Sequence, residues 1–232
     1  MGTLFRDISR YLRIPANRAA AHKKLRDYYS KERTFDELVD TAMNMGTKGH
    51  FRINSMQVRS EILSLVKRVD EIKPERILEI GTCNGGTLFL WSNLASKQVI
   101  TCDLIIHKHR NELYKKFTPP NSSCLLTTLE GDSHQPSFKE RVAKELNGNK
   151  VDFLFIDGDH SEEGAEADYN DYKEFVRPGG LIGFHDIVKN QPVEGNRVFY
   201  FWERIKNTVQ TEEFVSDPNQ CGYGIGVIQV EE

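Results

Sequence analysis

A chain of 232 residues that is 38% hydrophobic, 28% charged and 10% aromatic has the profile of one soluble globular domain with room for terminal additions. A formal charge of -3 and a pI near 6.2 provide no basic field, so a small molecule rather than nucleic acid is the expected partner. Cys83, Cys102, Cys124 and Cys221 are widely spaced with no C-x-x-C pair, which excludes a zinc cluster or a dense disulfide framework and points to a reducing compartment, the cytoplasm.

The amino terminus, MGTLFRDISRYLRIPANR, is interrupted by charge every few residues, so neither a signal peptide nor a membrane span is expected. Arg6 stands where a myristoylation signal needs Ser or Thr. Phe5, Ile8, Tyr11 and Leu12 recur at helical spacing up to Ile14-Pro15, and a basic helical stretch follows from Ala16 to Tyr29. Thr34 to Met45 predicts a short helix, and the polar, glycine-containing stretch Met45 to Asn54, with His50 and Arg52, predicts a mobile loop that could act as a lid. Residues 1–55 thus form a helical cap and lid, and 56–232 the main domain. A helix over Met56 to Val69 presents Val58, Ile62, Leu65, Val66 and Val69 to a sheet.

From Arg76 the rhythm becomes short apolar runs alternating with helical segments, the pattern of an α/β, doubly wound, mostly parallel sheet with helices on both faces. Strands are predicted at Arg76 to Ile80, Gln98 to Cys102, Ser123 to Glu130, Val151 to Ile156 and Leu181 to Phe184, and near Phe214 and Gly224 to Val230. Helices are predicted at Thr87 to Ala95, Arg110 to Phe117, Ser137 to Leu146, Glu162 to Val176 and Arg197 to Asn207. Ala165, Tyr169, Tyr172 and Phe175 or Val176 share a face of the fourth, and Arg177-Pro178-Gly179-Gly180 is expected to end it. Asp168 and Asp171 read as helix surface, His107, His109 and His134 as exposed, and Phe199 to Trp202 as core and interface packing.

Leu78 to Gly86, LEIGTCNGG, is a strand, a glycine turn and the start of a helix, which aims backbone amides at an anionic or polar ligand group. Asp103 ends the next strand, where an acid bonds ribose hydroxyls in dinucleotide enzymes. Cys83 occupies the position at which a second glycine lets backbone approach a pyrophosphate, so NAD is disfavoured. Glu79 suits the ammonium group of S-adenosylmethionine better than a phosphate. Further on, Asp157 and His160 follow one apolar run while His185 and Asp186 follow another, which puts two carboxylates and two imidazoles at neighbouring strand exits. Two hard oxygen donors there can hold a divalent ion with open positions for substrate, although Asp157 alone could merely cap the helix beginning near Ser161.

LEIGTCNGG, ITCDL, LEGDSH, FLFIDGDHSEEG and RPGGLIGFHDI, in this order, resemble class I S-adenosylmethionine-dependent methyltransferases, in particular the metal-dependent sugar and macrolide O-methyltransferases and cephalosporin hydroxylase-like proteins. The resemblance covers roughly Ile62 to Val230 and is strongest between Ile77 and Val188. It implies a Rossmann-like fold of seven strands with an antiparallel carboxy-terminal strand. It further implies cofactor contacts from Glu79, Gly81, Thr82, Gly85, Asp103, Asp132, Ser133 and Asp157, metal ligands Asp157, His185 and Asp186, and His160 as general base. The implied activity is methylation of a hydroxyl on a small acceptor, a sugar or glycosylated metabolite, with magnesium or manganese ahead of zinc or iron. The imidazole of His185, where the family commonly has an acid, pulls that preference away from magnesium. An NAD-linked oxidoreductase and a non-catalytic adenosine-binding protein are the alternatives, and apolar faces at both ends would allow a homo-oligomer.

Overall fold

The structure, a computed structural model, describes residues 13–231, so the helix expected around Phe5, Ile8 and Tyr11 lies outside the described residues. Two helices come first. Helix α1 (Ile14–Tyr28) opens on Pro15, whose missing N–H costs nothing in a first turn. Helix α2 (Phe35–Met43) starts from a capping box in which Thr34 and Glu37 satisfy each other's backbone amides.

After a 3-10 turn at Gly49–Phe51 come α3 (Arg59–Glu71), β1 (Arg76–Ile80), α4 (Gly86–Leu94), β2 (Gln98–Asp103), α5 (Lys108–Tyr114) and β3 (Leu125–Glu130). The chain continues through α6 (Pro136–Leu146), β4 (Val151–Ile156), α7 (Glu162–Tyr172), β5 (Val176–His185), α8 (Val198–Ile205), β6 (Thr211–Phe214) and β7 (Ile225–Gln229).

The seven strands form one sheet in the order β3-β2-β1-β4-β5-β7-β6. The pairings from β3 to β5 are parallel, and β7 runs antiparallel between β5 and β6, as expected for its class. Strand order reverses between β1 and β4, and open α/β sheets bind their ligands at such a reversal, beyond the carboxyl ends of the strands.

Alternation along the strands splits the core in two. Ile77, Val99, Phe153 and Phe155 pack with Leu25, Val39, Ile62 and Phe89 from α1 to α4. Leu78, Ile100, Leu154 and Phe184 pack on the other face with Phe138, Tyr172 and Trp202 from α6 to α8. At the amino ends of the strands, Asp152 accepts bonds from the amides of Glu75 and Arg76 and from Arg177 Nε, tying β1, β4 and β5 together.

Three expectations need correction. The helix predicted to reach Val176 stops at Tyr172, and Arg177-Pro178-Gly179-Gly180 lies within β5 instead of ending a helix. The ladder jumps from Val151–Val176 to Phe153–Leu181, so these residues sit in a bulge where the missing Pro178 N–H breaks no bond to β4. The segment read as a polar mobile loop buries Met45, Phe51 and Ile53 against the first core. In α8, Phe201 and Trp202 are buried while Tyr200 is exposed, so only part of the aromatic run read as core and interface packing lies in the core.

Candidate active site

The glycine turn joins β1 to α4 at the strand-order reversal. Gly81 has φ 98°, and a Cβ there would lie 2.0 Å from the Asp157 carbonyl oxygen, so glycine lets the turn rest directly on the exit of β4. Gly85, with φ 73°, caps α4 and leaves no room for a Cβ beside the Tyr114 ring. Asp103 comes to the same turn: its Oδ2 accepts from the amides of Thr82 at 3.0 Å and Cys83 at 2.7 Å. Its Oδ1 accepts from the Ile105 amide at 3.2 Å.

Glu79 faces away from solvent altogether. Its Oε1 accepts from Trp91 Nε1 at 2.9 Å, and Oε2 pairs with the Thr101 hydroxyl at 2.6 Å. Thr101 in turn meets Thr82 Oγ1, which bonds the Cys102 carbonyl, so Glu79 connects to the turn through two hydroxyls. Burial pushes its carboxyl up to about 8, against the lowering effect of these donors.

Asp157, His160, His185 and Asp186 come together from two adjacent strand exits. His185 Nδ1 lies 3.2 Å from Asp157 Oδ1 and 3.2 Å from Asp186 Oδ1. His160 Nδ1 lies 2.7 Å from Asp186 Oδ2, while its Nε2 is 3.7 Å from Asp157 Oδ1. Asp186 adopts φ 65°, a left-handed conformation that Asp tolerates better than most residues.

The electrostatics are those of a tight charge cluster. Burial alone would lower the His185 pKa, yet Asp157 and Asp186 overcome it and lift the imidazole to about 10. The hydrogen bond to Asp186 raises His160 against burial, and Asp186 is held below the usual carboxylate range because its two histidine partners outweigh its own burial. Asp157 is not the cap of α7; Ser161 is, accepting from the Gly164 amide, while Asp159 accepts from the Ser161 amide.

Asp132 and Ser133 follow β3. Asp132 closes a turn onto the His134 amide and Gln135 Nε2, and the Ser133 hydroxyl donates to Asp168 Oδ1 at 2.8 Å. Asp168, expected on the helix surface, is fully buried, and burial pushes its carboxyl up to about 6. His134 and His109, expected to be exposed, are half-buried; His134 Nε2 lies 3.3 Å from Asp168 Oδ1.

Two amides of the site escaped the sequence reading. Gln57 Nε2 donates to Asp157 Oδ2 at 2.8 Å. Asn196 Nδ2 donates to Asp186 Oδ2 at 2.5 Å and lies 2.8 Å from His160 Nδ1. Neither belongs to a spacing pattern; each is a lone amide in a polar segment, identifiable only once the chain is folded. One residue past Asp186, a cavity of about 520 Å³ opens between Ile187–Asn190, α8 and the segment before β7.

The spacing that could hold a divalent ion joins the two carboxylates to His160 rather than to His185. Ligand atoms of Asp157, His160 and Asp186 all lie within 4.8 Å of one another. His185 Nδ1 bridges Asp157 and Asp186 at 3.2 Å each as a hydrogen-bonded imidazole, so it would have to give up that proton before it could hold an ion. Among the described residues His185 Nε2 is buried without a hydrogen-bond partner, and the ring is held by the two carboxylates on its Nδ1 and by packing beside Tyr223. Asp103 ends β2, Ser133 follows β3 and the glycine turn follows β1, so all three stand at the carboxyl ends of neighbouring strands.

The fold is the Rossmann-like α/β fold of methyltransferases, and comparison with known proteins agrees. Residues 78–187, just under half of the chain, match the family model described as a methyltransferase domain. An uncharacterized protein of Acanthamoeba polyphaga mimivirus is 34% identical over 116 residues, and the chain spans about half the length of that relative, with 47% of this chain and 50% of the other aligned. The O-methyltransferase TomG from Streptomyces achromogenes, solved with SAM, superposes with a TM-score of 0.58 at 16% identity, covering 87% of this chain and 92% of that one. MycE, a methyltransferase of the mycinamycin biosynthetic pathway solved with Mg and SAH, gives 0.56 at 18%, covering 88% of this chain and 55% of that one. An O-methyltransferase from Bacillus cereus, in complex with SAH, gives 0.55 at 16%, covering 89% and 96%.

Proposed function

We propose that this protein is an S-adenosylmethionine-dependent, divalent-metal-assisted O-methyltransferase acting on a hydroxyl of a small molecule such as a sugar or glycosylated metabolite. The observation that carries this reading is the meeting of Asp157, His160, His185 and Asp186 beside the glycine turn that rests on Asp157. The cofactor is assigned to the crevice formed by Gly81, Thr82, Gly85, Asp103, Asp132 and Ser133, with Glu79 acting from behind the turn. Asp157, His185 and Asp186 would hold magnesium or manganese, which when bound would polarise the acceptor hydroxyl as a Lewis acid.

His160 is the proposed base. With Nδ1–H donated to Asp186, its free lone pair is on Nε2, the nitrogen turned towards Asp157 and the cluster. Methyl transfer from a sulfonium to an oxygen that gives up its proton consumes charge, so the chain contributes mainly orientation and exclusion of water. MycE is described with Mg and SAH and, in another structure, also with mycinamycin VI, which supports a metal and a small-molecule acceptor by analogy of fold.

We also assign residues 1–55 to a helical cap and 56–232 to the catalytic domain, and place the protein in the cytoplasm without a nucleic-acid or membrane partner, with room for a homo-oligomer. No helix among the described residues is long and apolar enough to cross a membrane. Isothermal titration with S-adenosylhomocysteine and with NAD, with and without Mg2+ or Mn2+, tests the core of the proposal. Binding of the homocysteine compound alone is expected; binding of NAD alone, or of neither, would overturn it.

A further inference from the structure

Resting on the function proposed above, we infer that Gln57 is a positioning residue that couples cofactor binding to cation binding. Gln57 is 7% exposed and lies on the segment leading into α3, far in sequence from any other member of the site. Its Nε2 donates to Asp157 Oδ2 at 2.8 Å. That bond occupies one carboxylate oxygen from outside the cluster and leaves Oδ1 facing His185 and His160. Gln57 therefore decides which oxygen of Asp157 is presented to an ion.

The direction of the amide is fixed as well. The Asp157 carboxylate can only accept, so it takes the Nε2 end, which leaves Gln57 Oε1 to accept from the Ser55 hydroxyl. Donation from a neutral amide holds Asp157 without cancelling the charge that an ion requires, which a Lys or Arg at this place would do.

Ser55 links this bond to the cofactor crevice. A Cβ on Gly86, the first residue of α4, would lie 2.4 Å from the Ser55 amide nitrogen and 2.5 Å from the Asn54 carbonyl carbon. The segment 54–57 thus lies against the end of the glycine turn at Gly86 and reaches Asp157 three residues later. Asp157 itself carries the turn from below: its amide donates to the Ile80 carbonyl at 2.8 Å and its carbonyl abuts Gly81. A cofactor that settles the turn against segment 54–57 also settles Gln57 on Asp157, and linkage requires the reverse to hold equally.

The test is isothermal titration of the full-length protein with Mn2+, in the absence and presence of saturating S-adenosylhomocysteine, for wild type, Gln57→Met and Gln57→Glu. Thermal unfolding confirms that each variant is folded. Wild type is expected to bind Mn2+ roughly 5- to 100-fold tighter with the cofactor product present. Gln57→Met should bind Mn2+ about 10-fold more weakly and bring that ratio towards one. Gln57→Glu keeps the shape and the acceptor for Ser55 but loses the donor, so it too should lose the ratio, which a merely space-filling Gln57 would retain. A wild-type ratio of one, or a wild-type ratio preserved in either variant, overturns the role of Gln57 while leaving the proposed function intact. Absence of S-adenosylhomocysteine binding to wild type overturns both.

Discussion

Glu79 shows how a single carboxyl can be neutral inside a fold that leaves it no route to water. A protonated Glu79 can donate to Thr101, Thr101 to Thr82, and Thr82 to the Cys102 carbonyl, while the other oxygen still accepts from Trp91. Its pKa near 8 in the fold against an ordinary 4.5 means that its contribution to stability is complete below about 4.5 and is lost as pH rises through about 8. Glutamine can make the same bonds with an N–H donor and a C=O acceptor. Glu79→Gln should therefore gain on wild type progressively between pH 5 and 8 and level off above, by on the order of a few kcal/mol. Urea unfolding at pH 5, 7 and 9 reads this, and a difference that does not change with pH would show that Glu79 is ionised in the fold. At the same scale, His160→Ala should reduce methyl transfer by about 100-fold or more while S-adenosylhomocysteine affinity changes little. Unimpaired turnover would remove His160 as the base.

Among the elements, β1 and β4 match their predicted limits because each is a short apolar run buried on both faces between turn signals. The parallel order and the exits carrying Gly81, Asp157 and Asp186 follow from the same alternation. β5 was only half legible, because proline and glycine signal a break equally well when they form a bulge. Asp168 was misread although a signal was present: it shares the i, i+3, i+4 and i+7 face of Ala165, Tyr169 and Tyr172, and a carboxylate on an apolar face should have suggested a buried partner such as Ser133. Gln57 and Asn196 had no such pattern, since tertiary folding alone brings them to the carboxylates. The contact between the glycine turn and β4 can be tested directly. Gly81→Ala combines a left-handed backbone with a Cβ 2.0 Å from the Asp157 carbonyl oxygen, so turn and strand exit must separate. Weakened binding of both S-adenosylhomocysteine and Mn2+ is expected, measured by titration; loss of only one would mean that the two sites do not share this wall.

In the molecule as a whole, the first helices are not an appendage. Leu25, Tyr28, Val39 and Phe51 share a core with Phe89 and Trp91 of α4 and with the strand residues Phe153 and Phe155. Tyr28 and Phe117 both pack edge-on against Phe89, which is fully buried. Phe89→Ala should cost about 3–5 kcal/mol, and unfolding followed by tryptophan fluorescence and by far-ultraviolet circular dichroism should remain one coincident transition. An early separate melting of the helical signal would show that the amino-terminal part folds independently.

The strand order leaves the sheet with two unlike rims. One rim is β6, four residues long, with Glu212 and Glu213 among them; carboxylates on so short a strand repel an incoming chain. The other is β3, six residues reading LLTTLE, where Leu125 is 68% exposed and the central Thr127 and Thr128 are uncharged. Self-association by strand addition is accordingly directed to β3, and a lysine at Leu125 is the substitution expected to improve solubility at high concentration without touching the crevice.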